Sequence, residues 1–223
     1  MTRELPAASI RTAIELPLRF ADGYESHARV TTFDGLVDGG EHLALSLGAP
    51  AKPPLVRVHS ECLTGDVLGS LRCDCGPQLR EAVERITDVG GHLLYLRQEG
   101  RGIGLYAKLD AYALQDAGLD TYEANVALGF AADAREYAVA AQMLRALGVD
   151  AIALLSNNPD KADQLAVLGL DILERVPTRI HTNPANLCYL RTKATRGAHT
   201  FPPPARDLLR SGDLGVVTDA VPP

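Results

Sequence analysis

The sequence predicts an α/β (α+β) fold: a β-rich N-terminal part, a cysteine-bearing centre, and then a mixed sheet with flanking helices. Three observations point there. Up to His59 the apolar residues recur with the period of strands; past Cys75 they recur with the period of helices, broken by short apolar runs that read as buried strands. Between the two regimes stand three of the four cysteines, Cys62, Cys73 and Cys75, at a spacing of C-x10-C-x-C.

Taken in order, residues 1–11 read as a loosely held lead-in. His27 to Phe33 and Glu41 to Leu47 have strand character, with Asp38-Gly39-Gly40 supplying a turn, and Leu55 to His59 forms a third strand that runs into the cysteines. Leu79, Val83 and Ile86 then recur at helical spacing until Gly90-Gly91 ends the segment. His92 to Leu96 is a buried strand that delivers the loop Arg97-Gln-Glu-Gly-Arg-Gly-Ile-Gly104. A helix follows over Leu105 to Gln115, and another after Thr121. A third helix is expected from Ala132-Asp-Ala-Arg135 to Leu147, with Asp133 as its N-cap. Ala151 to Leu155 and Asp171 to Val176 read as strands, with a helix carrying Lys161 between them, and helical pattern resumes from Asn183-Pro184 through Tyr189 to Lys193. Beyond Phe201 the chain is proline-rich and lacks periodicity, the pattern of a disordered tail.

At 223 residues the chain is long enough to bury a core without a metal staple. With 46% hydrophobic and 22% charged residues it has the composition of a soluble globular protein. It has no apolar run long enough for a membrane span and no signal-peptide core, so a cytoplasmic location with reduced thiols is expected. A net charge of −6, no Trp and only four Phe argue against a nucleic-acid binder, although Arg175 to Arg196 is locally basic with no acidic residue.

Thiolates this close together in a reducing compartment are zinc ligands by preference. Three of them leave a tetrahedral ion one position for water, the arrangement of a catalytic zinc. A structural zinc completed by Cys188 or His59, or a tight Cys73–Cys75 disulfide, remains open on spacing alone. Arg57-Val-His-Ser-Glu61, packed directly before Cys62, suits a substrate site better than a staple. The glycine-rich loop at residues 97–104 opens a helix in the manner of an anion-binding turn. Ser156-Asn-Asn-Pro followed by Lys161 has the layout of a phosphate site at a strand's carboxyl end. Tyr112, on a helix, reads first as a packing residue, and Asp133 equally as a cap.

These stretches together resemble the GTP cyclohydrolase II family. The motifs Arg57-Val-His-Ser-Glu-Cys-Leu-Thr-Gly-Asp, Arg72-Cys-Asp-Cys-Gly, Arg97-Gln-Glu-Gly-Arg-Gly-Ile-Gly, Ala111-Tyr-Ala-Leu-Gln-Asp, Glu123-Ala-Asn, Ser156-Asn-Asn-Pro and Tyr189-Leu-Arg-Thr-Lys stand in the family's order. The resemblance implies a monofunctional form, one domain over residues 1–200 in which two closely packed subdomains are possible, and a separate tail over 201–223. It implies opening of the imidazole ring of GTP to formate, pyrophosphate and 2,5-diamino-6-ribosylamino-4(3H)-pyrimidinone 5′-phosphate, the first step of riboflavin biosynthesis.

Carried over by position, the resemblance gives Cys62, Cys73 and Cys75 as zinc ligands. Arg57, Val58, His59, Ser60, Glu61, Gln78, Glu99, Gly100, Arg101, Thr121, Ser156 and Lys161 become GTP contacts. Arg135 matches the residue proposed to attack the α-phosphorus, Asp133 the proton acceptor beside it, and Tyr112 the tyrosine linked to hydrolysis of the formamide. Mg²⁺ with the triphosphate and a homodimer are implied as well. Ser156 stands where threonine is usual, and Leu187-Cys188 departs from the family's pattern. The alternatives are a specialised-metabolism paralogue, one that stops at the formamide, and a zinc-stapled nucleotide-binding module without catalysis.

Overall fold

The structure, a computed structural model, describes residues 5–131 and 135–195. Seven strands form one sheet: β1 (Ser9–Arg19), β2 (Glu25–Asp34), β3 (Leu43–Leu47), β4 (Leu55–Ser60), β5 (Gly91–Leu96), β6 (Ala151–Leu155) and β7 (Asp171–Val176). The helices are α1 (Cys75–Val89), α2 (Leu105–Asp116), α3 (Thr121–Ala127), α4 (Ala138–Ala146), α5 (Pro159–Val167) and α6 (Leu187–Thr195). Strand order is β1-β2-β3-β5-β4-β6-β7. The side from β1 to β5 pairs antiparallel, and β5, β4, β6 and β7 pair parallel. This is the mixed sheet with flanking helices that the change of period predicts.

The parallel strands are buried on both faces, as crossover helices require. Val56, Val58, Leu94, Leu96, Ile152 and Leu154 face α4 and α5, where Tyr137, Met143, Leu144 and Leu165 meet them. Leu55, Leu93, Ala153 and Leu155 face α1, which supplies Ala82, Val83 and Ile86. Gly90 ends α1 at φ 87°, and a Cβ there would lie 1.7 Å from the Ala49 carbonyl oxygen, so only glycine lets the chain turn into β5 at this point. No helix among the described residues is long and apolar enough to cross a membrane.

Three expectations about elements are corrected. The lead-in is not loose throughout: Ser9–Arg19 is the longest strand and pairs with β2 from Ser9↔Asp34 to Arg19↔Glu25. Its signal was the alternation Ile10, Thr12, Ile14, Leu16, Leu18, and Pro17 is tolerated because β1 is an edge. The third helix begins at Ala138, with Tyr137 at its N-cap, so Arg135 is not helical and Asp133 is not its cap; Asp133 itself lies outside the described residues. The last helix begins at Leu187, after Asn183 has capped a separate turn by accepting from the backbone N–H groups of Ala185 and Asn186. The tail from Arg196 onward lies outside the described residues.

The segment after β7 is tied to the sheet through Glu81 on α1. Its buried carboxylate accepts from the Arg179 backbone N–H at 3.0 and 3.1 Å and from Arg85 at 3.0 Å, and it pairs with His181 at 2.9 Å. Burial alone would raise its pKa, but these donors hold it below the usual glutamate range. A lowered folded pKa adds stability above the unfolded value of about 4.3, and that stability is lost as pH falls through the folded value. Glu81→Gln is therefore expected to cost about 2 kcal/mol at pH 7. The gap to the parent should close in acid, as read from urea midpoints at neutral pH and below pH 4.

Candidate active site

The parallel half of the sheet sends its carboxyl ends to one rim, where open α/β sheets bind ligands. There β4 delivers Glu61 and Cys62, β5 delivers the turn Glu99–Gly102, β6 delivers Ser156 to Asn158, and β7 leads to Thr178. Together with α2, α3 and α6 these ends enclose a cleft of about 1170 Å³, counting its open mouth.

At one end of the cleft the three thiols converge, with all three sulfurs within 4.8 Å of one another and Cys62 Sγ 3.7 Å from Cys73 Sγ. None is in a disulfide. The short separation matches the edge of a tetrahedron with metal–sulfur bonds of about 2.3 Å, which is about 3.8 Å. Gly65 makes room for it, because a Cβ there would stand 2.7 Å from Cys73 Sγ and 3.1 Å from Cys62 Sγ. The chemistry of the set agrees. Hydrogen bonds from Cys73 and Cys75 pull the Cys62 thiol far down, while proximity to Cys62 pushes Cys73 up to about 11 and raises Cys75 well above the ordinary thiol range. Thiolates so crowded ionise together only around a cation, so the residues fit a metal.

Among the described residues no histidine or carboxylate joins the thiols. His59 is turned elsewhere: its Nε2 lies 3.2 Å from both oxygens of Asp66 and its ring stacks on Tyr95. Asp66 also accepts from the Cys62 backbone N–H at 3.0 Å and from the Tyr95 hydroxyl at 2.9 Å, which makes it the clamp of the wide turn Leu63–Val67. The side chain of Cys188, the other possible ligand, lies outside the described residues.

Glu99 braces the same turn from the other side. Its carboxylate accepts from the backbone N–H groups of Leu63 at 2.6 Å and Gly100 at 2.9 Å, and from Lys108 at 2.7 Å. Tyr112, one turn along α2, reaches Thr64 Oγ1 at 3.3 Å, and burial raises its phenol pKa.

The cleft lining is cationic. Arg57 donates to the Leu155 carbonyl at 3.0 Å and to Gln78 at 2.7 Å; Gln78 in turn donates to Asp74, which Lys193 also contacts at 2.9 Å. Asp74 is 1% exposed. Burial works against its charge, but Lys193 and Arg57 keep it ionised. Arg101 sits at φ 63°, a left-handed conformation unusual for a side-chain-bearing residue; its guanidinium lies over the Tyr122 ring, and its buried Nη1 has no hydrogen-bond partner among the described residues. Lys161 donates to the Val58 carbonyl at 2.6 Å, and Arg135 also lines the cleft. The lining carries seven cations (Arg57, Arg72, Arg101, Lys108, Arg135, Lys161, Lys193) and two carboxylates (Glu61, Glu99), so a chain of net charge −6 presents a positive cleft.

Every site residue expected from the sequence, Asp133 apart, lines this one cleft. Glu61 is held by Arg97 at 2.8 Å, Ser60 accepts from Gln98 at 2.9 Å, and Ser156 accepts from the Asn158 backbone N–H at 3.1 Å. Thr121 is placed by a capping box in which Asp120 accepts from Tyr122 and Glu123, and Glu123 accepts from Asp120. Sequence reasoning missed Lys108, Arg72, Gln115, Asn125 and Thr178 as lining residues. The first had a signal, since Lys108, Ala111, Tyr112 and Gln115 share one face of α2 at helical spacing.

A sequence model of GTP cyclohydrolase II matches residues 12–177. The chain belongs to the GTP cyclohydrolase II family. Several proteins named GTP cyclohydrolase-2 are similar over most of their length. That of Vibrio parahaemolyticus is 52% identical over 177 residues, 78% of this chain and 89% of its own. That of Acinetobacter baylyi is 50% identical over 84% of this chain and 93% of its own, and that of Escherichia fergusonii 55% identical over 75% and 86%. A solved structure of a two-domain 3,4-dihydroxy-2-butanone 4-phosphate synthase from A. baumannii overlaps with a TM-score of 0.37 at 20% identity, covering 78% of this chain and 41% of that one, too faint a likeness to weigh.

In a GTP cyclohydrolase II built this way, the metal site depends on the missing side chain at position 65. Gly65→Ala places a methyl against two of the three sulfurs. Metal affinity, read by chelator competition, is expected to fall about tenfold or more while the far-ultraviolet circular dichroism is kept.

Proposed function

We propose that this chain is a zinc-dependent hydrolase that opens the imidazole ring of GTP, releasing formate and pyrophosphate and leaving 2,5-diamino-6-ribosylamino-4(3H)-pyrimidinone 5′-phosphate, as the first step of riboflavin biosynthesis. The observation that carries the reading is a three-thiol site that fits a metal within one cleft of otherwise cationic lining. A ring-opening hydrolysis needs the first and a triphosphate the second. Zinc held by Cys62, Cys73 and Cys75 would supply, when bound, an activated water at neutral pH and a Lewis acid.

The chain's own residues do the rest. Both bonds to C8 of the guanine are hydrolysed, which releases that carbon as formate, and the bond between the α- and β-phosphates is broken. Arg101, with a buried N–H that lacks a partner, and Lys161, near the start of α5, are placed to hold phosphate oxygens. Arg135 lines the same cleft. A guanidinium of pKa above 12 is a weak nucleophile, so charge stabilisation on the transferring phosphoryl group is the role its chemistry favours. Asp133 serves as the proton acceptor beside it. Tyr112 projects its hydroxyl beside the metal end of the cleft, where the formamide would be hydrolysed. Arg57, Val58, His59, Ser60, Glu61, Gln78, Glu99, Gly100, Thr121 and Ser156 complete the GTP site; of these, Glu99 and His59 work by holding the wide turn and Cys62 in place.

Mg²⁺ would accompany the triphosphate and offset its charge, which needs no dedicated protein cage. Residues 1–200 form the family domain, residues 201–223 a separate tail, and two chains form a homodimer in the cytoplasm.

Mass spectrometry of products after incubation with GTP, Mg²⁺ and zinc tests the reading. Equal yields of formate and pyrophosphate with the diaminopyrimidinone are expected, and neither product from zinc-loaded protein would overturn it. Cys73→Ser should lose zinc and hydrolysis together, and turnover without zinc would remove the metal from the mechanism. Arg135→Ala should retain zinc and lose pyrophosphate release.

A further inference from the structure

One buried side chain outside the GTP and zinc residues touches both ends of the chemistry. Lys108 on α2 is 8% exposed, and its ammonium contacts Cys62 Sγ at 3.1 Å, Thr64 Oγ1 at 3.0 Å and Glu99 Oε1 at 2.7 Å. An ammonium has three N–H bonds and no acceptor, so three acceptors saturate it. Nothing is left over to bind substrate, and Lys108 acts only through those partners. Its place is fixed from two sides, because Glu99 is itself held by the backbone N–H groups of Leu63 and Gly100.

The contacts have a direction. Thr64 accepts from Lys108, so its own hydroxyl proton goes to a second neighbour, and the Tyr112 oxygen at 3.3 Å is nearer than Cys62 Sγ at 3.7 Å. A phenol oxygen that accepts there keeps its O–H for the cleft that Tyr112 lines. At the other end, three thiolates on a divalent ion would leave one negative charge, and the Lys108–Glu99 pair turns its ammonium toward it at Cys62. Hydrogen bonds to ligating atoms tune a metal's affinity and acidity.

We propose that Lys108 is a positioning residue that donates a hydrogen bond to the Cys62 sulfur and, through Thr64, turns the Tyr112 hydroxyl into a hydrogen-bond donor facing the substrate. One ammonium thereby sets the metal's sulfur ligand and the group assigned to formamide hydrolysis. The Tyr112 half rests on the function proposed above; the Cys62 half needs only a bound metal.

The test uses cobalt(II) in place of zinc and then the zinc enzyme with GTP. Removing a hydrogen bond from a thiolate makes it a stronger donor, so in Lys108→Met the sulfur-to-cobalt charge-transfer band should move to longer wavelength, and zinc affinity should change about 10- to 100-fold. In Thr64→Val the ratio of formate to pyrophosphate should fall about tenfold or more, with the formylated intermediate accumulating, and Thr64→Ser should restore it. A Lys108→Met protein that binds cobalt with an unshifted band overturns the proposal. So does a Thr64→Val ratio equal to the parent's, or a Thr64→Ser defect as deep as that of Thr64→Val. If Lys108→Met does not fold, the two Thr64 variants decide. If the parent makes neither product from GTP, the proposed function fails and the cobalt band alone decides the inference.

Discussion

Everything at this site follows from holding three sulfurs inside 4.8 Å of one another. Three thiolates at that distance repel strongly unless a cation sits among them, and the fold is arranged to keep them there. One sulfur comes from the end of a central buried strand, and two from the start of α1, which packs across that strand. Gly65 and Gly76 let the backbone approach closely enough, since a Cβ on Gly76 would fall 2.4 Å from the Gly65 carbonyl oxygen. Asp66 and Glu99 then clamp the intervening turn through backbone N–H groups. The cost of concentrating negative charge is met partly by fixed donors and would be met further by a bound metal, without loosening the core beneath.

The topology makes this economical. A parallel run β5-β4-β6-β7 collects four strand ends at one rim, so short loops carry the ligand-facing residues while the strands stay apolar on both faces. The antiparallel side, β1 to β3, contributes no residue to the cleft lining and instead extends the sheet that supports β5. This division explains why the motifs begin only at Arg57.

Much of the fold was legible because the parallel strands are compact apolar runs bounded by glycine and polar loops; the strands at Leu55, His92, Ala151 and Asp171 all lie within a residue of their predicted ends. What was not legible has physical causes. β1 is exposed on most of its length, so its alternation carries little apolar weight beside the lead-in before it. The stretch before α4 carries helix-favouring alanines, but Tyr137 is buried against the core, and the helix starts only after that anchor. Packing, not local propensity, set that boundary. The site was legible where residues are adjacent in sequence, as in Arg57 to Cys62. It was not where the chain returns from a distance: Lys108 and Thr64 meet only because α2 lies across the wide turn after β4.

That distant return bears on how two hydrolyses share one cleft. The thiols require negative charge to be buried, a triphosphate requires positive charge, and both demands fall on one cleft, where such charges act strongly on each other. Left unbuffered, the cationic lining would compete with the metal for the thiolates. The buried carboxylates fix where the ammoniums sit: Asp74 takes Lys193, and Glu99 takes Lys108, which also reaches Cys62 Sγ. Each ammonium is thus oriented by a carboxylate before substrate arrives, and the cleft around the thiols is preorganised.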